Sequence, residues 1–119
     1  MPYPSPDQQP EVTGRLVNVG TALRTADDVL AIRLGAVTRR EIDARNAELH
    51  VLVGLFADAV LDHARDAATR SVRWEVDRLL ASAPGEGALV FSAYQHMHDL
   101  ARMLRRLASS APAQGGVTV

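Results

Sequence analysis

The chain has 119 residues, a formal net charge of −1 and no cysteine, and all thirteen of its basic residues are arginine. That length is one domain's worth of chain with a single modest core, and the balanced charge leaves no strong field to attract nucleic acid or anionic lipid. Without cysteine there is no disulfide framework, thiolate metal site or cysteine nucleophile, and the arginine-only, Ala/Val/Leu-rich composition reads as a high-GC bacterial genome.

Apolar residues make up 47% of the chain but aromatics only 4%, a profile of Ala/Leu/Val helices rather than aromatic and β-branched strands. The expected fold is all-α, a three- to four-helix up-down bundle over residues 12–108. Met1-Pro2-Tyr3-Pro4-Ser5-Pro6 opens a proline-rich tail over residues 1–11, where each proline removes a backbone donor. A Ser/Ala/Gly-rich tail is expected over residues 109–119. Neither a basic leader nor a membrane-length apolar run occurs, so a cytoplasmic protein is expected.

Two Thr-x-x-acid patterns, Thr25 with Asp28 and Thr38 with Glu41, have the spacing of capping boxes. Hydrophobic spacing suggests a first helix from about Val12 to Leu23, interrupted by Gly20, and a short second one carrying Val29 and Ile32, with one kinked helix as the alternative. The strongest periodicity follows Thr38, with Ile42, Leu49, Leu52, Val53, Phe56 and Val60 on one face. Its outer face offers Glu41 to Arg45, Asp66 to Arg70, and a ridge of Asp58, Asp62 and Asp66 expected to be either solvated or neutralised by a partner. An unbroken helix from Thr38 to Ala83 would span roughly 65–70 Å, too long for a domain of this size. A break is therefore expected near Ala68 to Ser71, with Thr69 or Ser71 as the new cap. Pro84-Gly85-Glu86-Gly87 is a turn. The last helix carries Leu89, Ala93, Met97, Leu100, Leu104 and Leu107 inward and Arg102, Arg105 and Arg106 outward.

The run from Trp74-Glu75-Val76-Asp77-Arg78-Leu79-Leu80 through Ala83-Pro84-Gly85 to His98-Asp99-Leu100-Ala101-Arg102, with Leu49-His50-Val51-Leu52 before it, resembles an uncharacterised actinobacterial family of short all-helical proteins. The resemblance spans about residues 15–108. It implies an all-α bundle of actinobacterial origin and carries no activity, cofactor or site residue.

Catalytic patterns are absent. The serines lack an elbow motif, Gly85-Glu86-Gly87 would repel a phosphate, and neither His-Glu-x-x-His nor Glu-x-x-His occurs. The chain is read as no enzyme, with no cofactor and no assigned metal ligand. His63 with Asp66 and His96 with Asp99 share helical faces at i, i+3, which leaves a metal or small-ligand bundle as one alternative. Trp74, off the stripe of Val72, Val76 and Leu79, is the candidate interface anchor, together with Tyr94, Leu55 and Leu61. Tyr94 is either exposed or packed on Trp74. The leading expectation is a protein-protein interaction module that self-associates, as a homodimer, with a heterologous protein as the other partner class. An accessory transcriptional regulator touching DNA weakly through Arg102, Arg105 and Arg106 is the second alternative. Direct nucleic-acid binding is not expected at a pI near 6.4.

Overall fold

A computed structural model describes residues 16–61, 66–110 and 116–118. Four α-helices follow one another: α1 (Val19–Leu30), α2 (Arg39–Leu61), α3 (Ala67–Ala81) and α4 (Val90–Ser109). A short 3-10 turn, Leu34–Ala36, sits between α1 and α2. Strand β1 (Leu16–Asn18) pairs antiparallel with β2 (Gly116–Thr118), Val17 opposite Val117. The protein is an all-α bundle with this small ribbon at its ends. The C-terminal tail, expected to lack structure, thus supplies three paired residues; the proline-rich tail and the helical start near Val12 lie outside the described residues.

One helix, α1, replaces the two expected pieces. Its cap is Asn18, whose side chain accepts a hydrogen bond from Thr21 N at 3.0 Å, satisfying one of the orphan donors of the first turn. Gly20 falls in that first turn rather than in mid-helix, and a Cβ there would stand 3.1 Å from the capping oxygen of Asn18. Thr25 and Asp28 lie inside the helix and cap nothing. The Thr38/Glu41 box does form: Thr38 N donates to Glu41 Oε1 at 2.8 Å and Glu41 N to Thr38 Oγ1 at 3.1 Å. The hydrogen bonds that Glu41 Oε1 accepts from Thr38 N and Thr38 Oγ1 hold the Glu41 carboxyl below its ordinary pKa.

The expected break in the long apolar pattern occurs earlier than read. Helix α2 ends at Leu61, and α3 starts at Ala67 with Asp66, rather than Thr69 or Ser71, as its cap, accepting from Thr69 N at 2.7 Å. The chain reverses here, since Arg73 of α3 reaches back to the Ala57 carbonyl and to Asp58 on α2. Asp58 therefore finds its neutralising partner within the chain. Arg45 pairs with Glu48 at 3.3 Å rather than in the expected bridge to Glu41.

Helix α4 is the axis of the bundle. Ala93, His96, Met97, Leu100, Ala101, Met103, Leu104, Leu107 and Ala108 are buried on it, a face much wider than the stripe of a helix covered on one side. Helix α1 packs antiparallel to α4, with Ile32 at its exit beside Tyr94 and Asp27 beside Arg105. Helix α2 runs parallel to α4, with Asn46 level with Ala93 and His50 with His96. The apolar side chains Ala22, Ala26, Val29, Ile42, Leu49, Val53 and Phe56 close on α4 to form the core. Helix α3 buries only Val76 fully and leans on α2 more than on α4.

The segment leaving α1 is tied down by polar contacts. The Ile32 carbonyl accepts from Tyr94 Oη at 2.6 Å and stands 3.3 Å from His98 Nε2, with the Tyr94 and His98 rings in contact. Tyr94→Phe keeps the ring and removes the donor, so a loss of about 0.5–1.5 kcal/mol is expected, to be read from urea unfolding midpoints against wild type.

Candidate functional site

Because α3 lies against α2, its opposite edge and α4 leave a groove of about 370 Å³ between them. Leu79 and Met103 line it with apolar surface, Trp74 stands at its side, and Arg78, Arg102, Arg106, Glu75 and Asp99 complete it. The sequence spacing puts these residues on facing edges: Trp74, Arg78 and the cap residue Ser82 are each four apart on α3, and on α4 Asp99 is four from Met103 and Arg102 four from Arg106. Trp74 is 60% exposed, and the Arg78 guanidinium sits 5.2 Å from its ring centre, within cation-π range. Arg106 bonds Glu75 across the groove at 2.9 Å, and Arg102 bonds Asp99 along α4 at 3.0 Å.

Of the expected interface residues, only Trp74 lies on this groove. Leu61 is partly buried against the core at the far end of α2, and Leu55 is half-buried. Tyr94 packs neither on Trp74 nor in solvent, being committed to Ile32 and His98. The three expected basic contacts also separate. Arg102 and Arg106 belong to the groove, whereas Arg105 faces α1 and bonds Asp27 at 2.7 Å. A second apolar surface, Leu89, Val90 and Phe91 at the start of α4, is exposed as well.

Histidine chemistry lies elsewhere than the sequence suggested. His63 is outside the described residues, Asp66 caps α3, and Asp99 is paired with Arg102. His96 instead meets His50 of α2, Nε2 to Nε2 at 3.0 Å, beside a cavity of about 280 Å³ lined by Asp43, Asn46, Ala47, Ala83 and Pro84. Burial pushes both imidazoles below the ordinary histidine range; for His96 the neighbouring His50 adds to this, while Asp99 opposes it.

The geometry of the pair is that of a hydrogen bond. Two imidazoles ligating one ion at about 2.1 Å, with this nitrogen separation, would set ring centres about 4.7 Å apart. A head-on N–H···N contact sets them about 5.3 Å apart, and the observed separation is 5.2 Å. Among the described residues, no group of three or more His, Asp and Glu is arranged to hold a metal ion, and no helix is long and apolar enough to cross a membrane. No family model, curated protein or solved structure matches this chain.

Proposed function

We propose that this protein is a non-enzymatic protein-protein interaction module that self-associates through the α3/α4 groove as a two-fold homodimer. The observation that carries the reading is Trp74, a large aromatic left 60% exposed beside an apolar groove instead of being folded into the core. Tryptophan and arginine are the side chains that most often dominate interface energetics, and they do so when desolvated at the centre of a contact. Both types meet here.

Charge chooses the second copy as occupant. The groove carries guanidinium and carboxylate groups side by side, Arg102 with Asp99 and Arg106 with Glu75, so its surface complements itself. A two-fold contact requires that self-complementarity, because the same patch is used on both subunits. Arg78, whose guanidinium stacks on the Trp74 ring, would meet acidic rim from the copy. The alternative of DNA contact gains little, since Arg102, Arg105 and Arg106 each hold a carboxylate already. The resemblance of residues 15–108 to short helical actinobacterial proteins remains part of this reading, and so does a cytoplasmic location.

Light scattering coupled to size exclusion, run on wild type and Trp74→Ala over a range of concentrations, tests the reading. A wild-type dimer that the substitution shifts to monomer supports it. A wild-type monomer at every concentration removes self-association.

A further inference from the structure

The contact between α2 and α4 changes character along its length. From Val53 onward it is apolar, with Val53, Phe56 and Ala57 level with the buried Leu100, Met103 and Leu104 of α4. Ile42 and Leu49 add packing nearer the start of α2, but that half also holds every side-chain hydrogen bond from α2 to α4 or to the segment entering it. Arg39 donates to the Ala88 carbonyl at 2.7 Å and the Gly85 carbonyl at 3.2 Å, Asn46 Nδ2 donates to the Ala93 carbonyl at 3.2 Å, and His50 meets His96 at 3.0 Å. The Asn46 Oδ1 is buried there without a hydrogen-bond partner, a desolvation cost this half of the contact already carries. The only titratable link in that set whose proton count changes near neutrality is the histidine pair.

We propose that His50 and His96 form a proton-operated latch that holds the N-terminal half of α2 against α4 and releases it on acidification. Proton counting gives the mechanism. With both rings neutral, one Nε2 donates to the lone pair of the other. One added proton leaves that bond in place, now charge-assisted. A second puts a hydrogen on both Nε2 atoms, so no acceptor remains and two cations would stand about 3 Å apart. Separation is the relief, and the adjoining 280 Å³ cavity gives the rings room to part. The groups facing the pair are few. Asp99 on α4 favours protonated His96, Asp43 on α2 lines the cavity but is bonded to Arg39 at 2.9 Å, and the connection after α3 contributes only Ala83 and Pro84. No charged residue of α1 or α3 is among the described residues lining the cavity. Two carboxylates, each already paired with an arginine, do not offset two cations at that spacing.

The sign of the pH dependence follows. Both folded-state pKa values lie below the unfolded value of about 6.5, so the unfolded chain binds more protons in that window. The pair's contribution is complete above the unfolded value and is lost as pH falls through it toward the folded values.

Amide hydrogen exchange on the full chain at pH 7.5 and 4.5, corrected for intrinsic rates, tests the latch in wild type and in the double variant His50→Gln/His96→Gln, whose amides can still bond but cannot titrate. In wild type, residues 42–50 should lose at least about tenfold protection relative to residues 53–61 on acidification, and the double variant should show no such differential. Equal loss in both proteins, or none in wild type, overturns the proposal. A second readout needs no variant: NMR titration of the wild-type rings should show His50 and His96 responding together below the ordinary histidine value. Independent titration of the two at that value overturns it.

Discussion

Phe56→Ala is expected to destabilise the protein by about 3–5 kcal/mol, a large share of the 5–15 kcal/mol typical of a whole domain. Phe56 is fully buried and heads the large core side chains. It sits on α2 in the same buried cluster as Val53 and Ala57 of that helix and Leu100 and Leu104 of α4. The cost has two parts, the transfer of the ring to water and the cavity left behind, and the second depends on how far the surroundings can collapse. Collapse is limited here because α4 is held on its other side by α1 through Ala22, Ala26 and Val29, all buried. Moving α4 to fill the gap would open that contact. Val51, on the same helix but 61% exposed, is the internal control, with Val51→Ala expected within about 0.5 kcal/mol of wild type. Urea unfolding of the three proteins checks both, and a Phe56→Ala change below about 1.5 kcal/mol would contradict the packing described.

The core helices were legible because their apolar residues recur at helical steps, although Leu89, read as inward, precedes the first turn of α4 and is exposed. Leu49, Val53 and Phe56 on α2, and Ala93, Met97, Leu100, Leu104 and Leu107 on α4, are read directly and are all buried. Boundaries depended on single residues with two meanings. Gly20 reads as a helix interruption, yet a glycine in the first turn interrupts nothing and here stands beside the cap oxygen. Thr25-Ala26-Asp27-Asp28 has the spacing of a capping box, but any helix with a threonine and an acid three apart shows that spacing. The reversal after Leu61 was placed too late because α3, which rests mainly on α2, has few large apolar residues in its first turn. Asp66 followed by Thr69 was the overlooked cap signal.

Site residues divided the same way. Trp74 was visible as an aromatic off its helix's apolar stripe, a local property that needs no partner to be named. The His50–His96 contact was invisible for the opposite reason. Its members are 46 positions apart on two helices, and only the parallel register of α2 and α4 brings them together. Local spacing instead ties His96 to Asp99, which captures an electrostatic influence but misses the hydrogen-bond partner, and it offers nothing for His50. Tyr94 likewise depended on the path of the chain after α1, which no periodicity reports.

For the proposed homodimer, Trp74→Ala is expected to raise the dissociation constant by roughly 30- to 1,000-fold, the range of a loss of about 2–4 kcal/mol at a central aromatic anchor, while Phe91→Ala leaves it within about threefold. The two aromatics make a fair comparison because their exposure is nearly equal, 60% and 57%, so burial of generic apolar surface on association would predict similar losses. Their surroundings differ. Trp74 borders a concave surface with Leu79 and Met103 inside it and ion pairs at its edge, conditions that let a partner exclude water from the ring. Phe91 stands among Leu89 and Val90 at the start of α4 and lines none of the cavities described above. Concentration-dependent sedimentation of wild type and the two variants separates the cases. A larger loss from Phe91→Ala would move the interface to the start of α4, and equal small losses from both would take tryptophan out of the contact altogether. Folding does not confound the result, since neither ring contributes to the core and both substitutions should leave the urea midpoint nearly unchanged.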